Sequence, residues 1–221
     1  NLVTGDTNGD TDVFVHDRDT GVTTRVSVDS AGGQTFSFSR NPSISADGRF
    51  VAYHSADGTL VPGDNNNKKD VFVRDRDTDG NGIFDEPGFV STTRVSVDSL
   101  GTQATGGHSD FPNISANGRY VSFTSGATNL DTNGIGGGFV HDRQTGTTTR
   151  VGVNGAGAIS TDGRFVIFGD SSQVFVHDRD TDVDGIFDET GAVSDTMVSV
   201  DSLGNPGNGS SLSGPIGISG D

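Results

Sequence analysis

Apolar and polar residues alternate in short runs along the whole chain, and the runs recur in a fixed order. Between Asn41 and Ser99 there are four: Pro42–Ala46, Phe50–His54, Asp70–Arg74 and Thr92–Asp98. Period-two alternation rich in Val, Phe and Thr predicts half-buried β-strands. Asp47-Gly48 joins the first two runs, and an Asp-Gly pair between such runs predicts a tight hairpin with positive φ at both turn positions. Four strands joined in sequence make one antiparallel sheet. Such a sheet cannot bury both faces alone.

The rest of the chain repeats this unit. ISADGRFVAY at Ile44 returns as ISANGRYVSF at Ile114 and ISTDGRFVIF at Ile159, and cut short as GISGD at the end. DVFVHDR at Asp12 returns at Asp70, Gly138 and Gln173. TTRVSV at Thr23 returns at Thr92, Thr148 and, as DTMVSV, at Asp195. A four-strand unit recurring every roughly 40–60 residues is the signature of a β-propeller, each unit one blade. The predicted fold is all-β: four-stranded antiparallel blades in one array over residues 1–221, about four present. The unit of residues 1–28 holds only strands three and four, and Gly214–Asp221 only a first strand. Unpaired edges of that kind predict end-to-end pairing with another copy, up to a filament.

The repeats PSISADGRFVAY, DVFVRDR and TTRVSV resemble the TolB-like propeller family across essentially the whole chain. That resemblance implies a secreted or cell-envelope protein, commonly one that binds other proteins. It implies no reaction, because function must be argued from a site.

Composition sharpens the picture in three ways. The net charge of −16, from 30 acids against 14 bases, excludes a simple phosphate-backbone binder, so no nucleic-acid partner is expected. The absence of cysteine removes disulfides and thiolate metal sites, leaving a hard, oxygen-ligated cation as the metal to expect. No run is apolar enough for a membrane helix, so no membrane insertion is expected. The arginines are locked to repeat slots and are expected to pair with aspartates between blades.

The acids themselves are patterned. Asp75–Glu86 reads DRDTDGNGIFDE. Taken as a calcium loop, its ligands are Asp75, Asp77, Asp79, Asn81, Ile83 and Glu86, with Gly80 at the sharp turn and Asp85 a competing terminal ligand. Ca²⁺ takes six to eight oxygens, so the chain must wrap it, with Ile83 lending its carbonyl or a bridging water. Asp178–Glu189 reads DRDTDVDGIFDE and offers Asp178, Asp180, Asp182, Asp184, Ile186, Asp188 and Glu189. Val183 replaces the glycine there, which predicts a different turn. A second class of loop precedes the third strand of a blade: Asp6, Asn8, Asp10 and Asp12, then Asp64, Asn66 and Asp70, with a degenerate copy at Asp131 and Asn133.

No catalytic constellation stands out. His16, His141 and His177 share one repeat slot, held by Arg74 in the remaining copy, which marks the slot as structural. His54 and His108 read as isolated. The expectation is a non-catalytic, calcium-binding, extracellular or cell-envelope scaffold that binds a protein partner or itself. The alternative is the propeller part of a secreted hydrolase, a glycosidase or peptidase accessory domain.

Overall fold

The computed structural model describes residues 2–170, 172–209 and 217–218. The last predicted strand, Gly214–Asp221, lies almost entirely outside them. The described residues form three four-stranded antiparallel sheets and one of two strands, each in sequential order. Sheet I is β1 (Phe14–His16) and β2 (Thr23–Arg25). Sheet II is β3 (Ser39–Ile44), β4 (Phe50–Ser55), β5 (Asp70–Asp75) and β6 (Ser91–Arg94). Sheet III is β7 (Ser109–Ile114), β8 (Tyr120–Ser125), β9 (Gly137–Asp142) and β10 (Thr148–Gly152). Sheet IV is β11 (Ala156–Ile159), β12 (Phe165–Gly169), β13 (Val174–Asp178) and β14 (Ser194–Met197).

The predicted hairpin turn between the first two strands is present but differently built. Gly48 has φ +77° and Asp47 is not in the left-handed region. Polar side chains hold the turn instead. The Ser45 hydroxyl donates to Asp47 Oδ1 and accepts from Phe50 N, and Asp47 Oδ1 accepts from Arg49 N at 3.0 Å. Ser115–Asn117 and Ser160–Asp162 repeat this arrangement in the next two sheets. Side-chain acceptors of this kind stabilise a turn that needs only one glycine.

Sheets stack in chain order, because each four-stranded sheet has two apolar faces to cover. Tyr53, Phe72, Phe123 and Phe139 are completely buried. Val73, Ala52 and Val121 share one cluster with Phe123 and Phe139, joining sheets II and III. A second joins Val13 and Val26 of the first repeat to Tyr53 and Phe72, and a third joins Tyr120 and Val140 to Val166. Polar bonds tie the seams. Ser39 N donates to Thr11 O, Ser109 N to Lys69 O, Ala46 N to Ala116 O and Ala116 N to Thr161 O.

One contact recurs at the seams between sheets II and III and between sheets III and IV. The aromatic residue after Gly-Arg lies on the turn glycine of the next sheet. A Cβ on Gly118 would stand 2.8 Å from Phe50 Cγ, and one on Gly163 would stand 2.8 Å from Tyr120 Cγ. An arginine of the next sheet covers the ring: Arg143 lies 4.2 Å from the Phe50 centroid and Arg179 4.8 Å from that of Tyr120.

The other arginines correct the sequence reading, since the pairs form within repeats rather than between them. Arg49 pairs with Asp75, Arg119 with Asp142 and Arg164 with Asp178. The cause is register: Phe50 lies opposite Asp75, which places the preceding arginine beside that carboxylate. Arg25, Arg94 and Arg150 likewise pair with Asp6, Asp64 and Asp131 of their own repeats.

Candidate metal-binding loops

Both twelve-residue loops leave the third strand of a four-stranded sheet and follow the same backbone path. In the first, Asp77 Oδ1 accepts from Asn81 N (3.1 Å) and Oδ2 from Gly82 N (2.9 Å); Asn81 Oδ1 accepts from Ile83 N (2.7 Å). In the second, Asp180 accepts from Asp184 N (3.2 Å) and Gly185 N (3.1 Å), and Asp184 from Ile186 N (2.8 Å). The expectation of a different turn at Val183 is overturned. Gly80 has φ +71° and Val183 has φ +61°. A β-branched residue in that region is a true outlier, costing roughly 1–3 kcal/mol. The surrounding carboxylate–amide bonds impose the conformation on valine.

The loops divide the predicted ligands into two groups. Asp75 and Asp178, at the strand ends, are held by Arg49 and Arg164. Asp85 and Asp188, expected as competing terminal ligands, point to arginines instead. Arg76 Nη2 lies 2.6 Å from Asp85 Oδ2, and Arg179 Nη2 lies 2.6 Å from Asp188 Oδ2. Both aspartates sit at left-handed φ, +63° and +66°, which turns them back toward the strand. The apex acids converge. Asn81 Nδ2 donates to Asp79 Oδ2 (3.1 Å) and Glu86 Oε2 (2.7 Å), bridging the two carboxylates. In the second loop Asp184 replaces that amide, and ligand oxygens of Asp180, Asp182 and Asp184 all lie within 4.8 Å of one another. Ile83 and Ile186 are exposed, and Glu189 is half-buried in the loop.

Electrostatics follows this geometry. Desolvation and then the neighbouring Asp184 carboxylate push the Asp182 carboxyl up, and desolvation and Asp77 do the same to Asp79. Desolvation also acts on Asp77, but the amide donors led by Gly82 outweigh it and hold that carboxyl down. Crowded carboxylates facing solvent on a loop of fixed shape can bind a hard cation through oxygen.

The second loop class is built differently. Asn66 Nδ2 donates to Asp70 Oδ2 (2.7 Å) and Ala104 O (3.0 Å), and Ser96 donates to Asp70 Oδ1. Asn8 donates to Asp12 Oδ2 and Thr35 O, and Ser27 donates to Asp12 Oδ1 (2.6 Å). Asp6 and Asp64 face Arg25 and Arg94. Asn8 Oδ1 accepts from Asp10 N. Their alternating acids thus serve hydrogen-bonded latches between strands. Burial pushes the Asp70 carboxyl up against its Ser96 and Asn66 donors, and burial with the neighbouring Asp70 pushes the Asp64 carboxyl up against Arg94.

The histidine slot is used in the same way in each sheet. His16, His141 and His177 each bond the residue opposite on the fourth strand, namely Thr23, Thr148 and Asp195. Arg74 makes the same bond to Thr92. His54 and His108 are not isolated. His54, 5% exposed, places Nδ1 3.6 Å from Asp110 Oδ1, and Lys69 Nζ lies 2.5 Å from that oxygen. His108 Nδ1 accepts from Lys69 N (3.0 Å). Single-sequence reading missed the His54–Lys69–Asp110 group because its members stand 15 to 56 positions apart and break the repeat. Their one sequence signal was that break.

No protein-family model and no curated protein matches the chain. Among solved structures, TolB from Acinetobacter baumannii aligns with 76% of this chain and 35% of its own, at 17% identity and TM-score 0.44. Kuenenia stuttgartiensis hydrazine synthase aligns with 77% of this chain and 47% of its own, at 13% identity and TM-score 0.39. The tricorn protease aligns with 82% of this chain and 14% of its own, at 12% identity and TM-score 0.35. The chain thus spans less than half the length of each.

Proposed function

We propose that the chain is part of a β-propeller that acts as a non-catalytic, calcium-stabilised binding scaffold outside the cell or in the cell envelope. The observation that supports calcium best is the second twelve-residue loop. Three carboxylates converge there within 4.8 Å, and the loop keeps its shape although valine replaces glycine at the left-handed position. A cation binding only the folded loop would relieve the repulsion and add stability by mass action. The ligands are Asp180, Asp182, Asp184 and Glu189, with Asp77, Asp79, Asn81 and Glu86 as a second, amide-bridged site. Solvent-facing loops of this kind suit the millimolar calcium found outside cells. Protein, or another copy, is the partner class, since net charge −16 opposes nucleic acid.

Calorimetric titration of chelator-stripped protein with CaCl₂, alongside Asp182→Asn, tests the proposal. Calcium should bind, raise the melting temperature and do so less in the variant, and Mg²⁺ should substitute poorly. An unchanged melt in calcium or excess chelator refutes it. The hydrolase-associated reading is favoured by one observation, the repeat-breaking His54–Asp110–Lys69 group. Turnover of a glycoside or peptide abolished by His54→Gln would replace the scaffold reading. Self-assembly through the open edge of β1 is checked by light scattering: a monodisperse monomer excludes it.

A further inference from the structure

The repeat carries a template for a ligand. In sheet I, Gln34 Oε1 accepts from Arg25 Nη1 (3.1 Å) and Thr7 N (3.3 Å), while its amide donates to Thr7 Oγ1 (2.8 Å). In sheet II, Gln103 Oε1 accepts from Arg94 Nη1 (3.0 Å) and Asn65 N (3.4 Å), and its amide donates to Asn65 Oδ1. Each glutamine sits on a segment that bridges antiparallel to the end of the fourth strand, Val28 to Gln34 and Val97 to Gln103. Sheet IV has lost both halves of the pair. Met197 stands opposite Phe175, where arginine stands opposite phenylalanine in the other sheets, and Pro206 takes the glutamine's place in the bridge.

Sheet III has lost only one half. Arg150 stands opposite Phe139, keeps its aspartate, Asp131, at 3.9 Å, and donates from Nη2 to Gly136 O (2.8 Å), which leaves Nη1 for a further acceptor. The glutamine segment is gone: Arg94 precedes Ile114 by 20 positions, but Arg150 precedes Ile159 by 9. At this place lies a cavity of about 480 Å³, lined by Arg150, Asp131, Thr132, Leu130 and Leu100 among others. Thr132 occupies the place of Thr7 and Asn65. Leu100 is 92% exposed at its rim, and Val153, the counterpart of Val97, is 54% exposed and outside the β-bridges found among the described residues.

We infer that this gap is a peptide-binding site that takes an extended segment presenting a glutamine side chain. The segment's main chain bridges to Val153, and the carboxamide oxygen accepts from the Arg150 guanidinium and Thr132 N–H. Its NH₂ donates to the Thr132 hydroxyl, and the flanking residue packs on Leu100. The proposal rests on the binding-scaffold reading and names its partner chemistry, but it does not require calcium. A guanidinium bond to a neutral carboxamide contributes more than an ordinary neutral bond, so its loss weakens binding by about tenfold.

The test is an NMR titration of the chain with the blocked peptide Val-Asp-Ser-Leu-Gly-Thr-Gln-Ala-Thr, copied from residues 97–105, in calcium and in excess chelator. Shifts should localise to Arg150, Thr132 and Val153 in both conditions. Replacing glutamine by leucine in the peptide should weaken binding about tenfold or more, with the protein unaltered. Arg150→Met should do the same, and Met197 shows that the slot tolerates methionine. Equal binding of both peptides, or no binding at millimolar peptide, overturns the inference. So does preferential binding of N-acetylglucosamine over the peptide. Peptide binding that persists when the calcium titration fails supports this site and removes only the metal. A different protein ligand unaffected by Arg150→Met overturns this site and leaves the scaffold standing.

Discussion

If aromatic rings seated on glycines hold the sheets together, Gly118→Ala should be among the most damaging single-methyl changes in the chain. Gly118 has φ +71°, where a Cβ costs roughly 1–2 kcal/mol on its own. The new methyl also stands 2.8 Å from Phe50 Cγ and Cε2, and Arg49 and Arg143 stack on that ring, which limits its retreat. Overpacking of this kind costs about 1–3 kcal/mol. The sum, about 2–5 kcal/mol, corresponds to a fall in melting temperature on the order of 10 °C for a chain of this length. Gly185→Ala supplies the control. Its φ is +86°, but nothing lies within 4 Å of the new Cβ, so only the backbone cost of about 1–2 kcal/mol applies. A double-mutant cycle isolates the contact. Phe50→Ala empties the socket, so adding Gly118→Ala to it should cost no more than Gly185→Ala, a coupling of about 1–3 kcal/mol. Urea midpoints for the four proteins decide it. Equal penalties at Gly118 and Gly185, or strict additivity with Phe50→Ala, would refute the socket as the seam-joining contact.

The remaining predictions are more local. Val183→Gly should raise stability by about 1 kcal/mol, because relief of left-handed strain exceeds the extra entropy of glycine, and Gly80→Val should lower it; denaturant midpoints check both. Asp77→Ala should cost about 1–3 kcal/mol even in excess chelator, since its carboxylate accepts from Asn81 N and Gly82 N, whereas Asp131→Ala should cost less. Burial depresses the His141 pKa to about 4, so the unfolded chain takes up its proton first as pH falls. Stability should therefore decline between about pH 6.5 and 4 by on the order of 2–3 kcal/mol, and His141→Gln should flatten that slope in pH-dependent melts. His177→Arg should change stability by about 1 kcal/mol or less, because Arg74 already fills the equivalent slot.

Strand order and repeat length were legible because each strand carries its own alternation and each turn its own glycine. Side-chain partnership was less so. Asp75, Asp85, Asp178 and Asp188 fit a calcium-loop spacing as well as Asp77 or Asp180 does. Spacing records which residues alternate, and not that an arginine one position before the aromatic reaches back across the sheet. Val183 misled for a related reason: local preference argued for another turn, but three amide–carboxylate bonds outweighed it. The His54–Asp110–Lys69 group was invisible for want of periodicity, since it forms only where β4 of one sheet meets β7 of the next.

Deviation within the repeat carries the functional information that the repeat itself conceals. Where an arginine and its glutamine vanish together, as at Met197 and Pro206, the chain has replaced one structural solution by another, and no cation is left there without its carboxamide. Where one partner remains, as at Arg150, a half-buried cation has kept its aspartate, taken the Gly136 carbonyl and lost its carboxamide, and a cavity stands in the place of the missing segment. The same asymmetry separates the two acidic loops. Asn81 supplies the first with an internal bridge between Asp79 and Glu86, so its carboxylates have a neutral partner before any cation arrives. Asp184 removes that bridge from the second and adds a charge. If calcium occupies both, the second loop should therefore show the greater gain on binding. Chelation should unfold it first, and Asp184→Asn should make its metal-free stability approach that of the first.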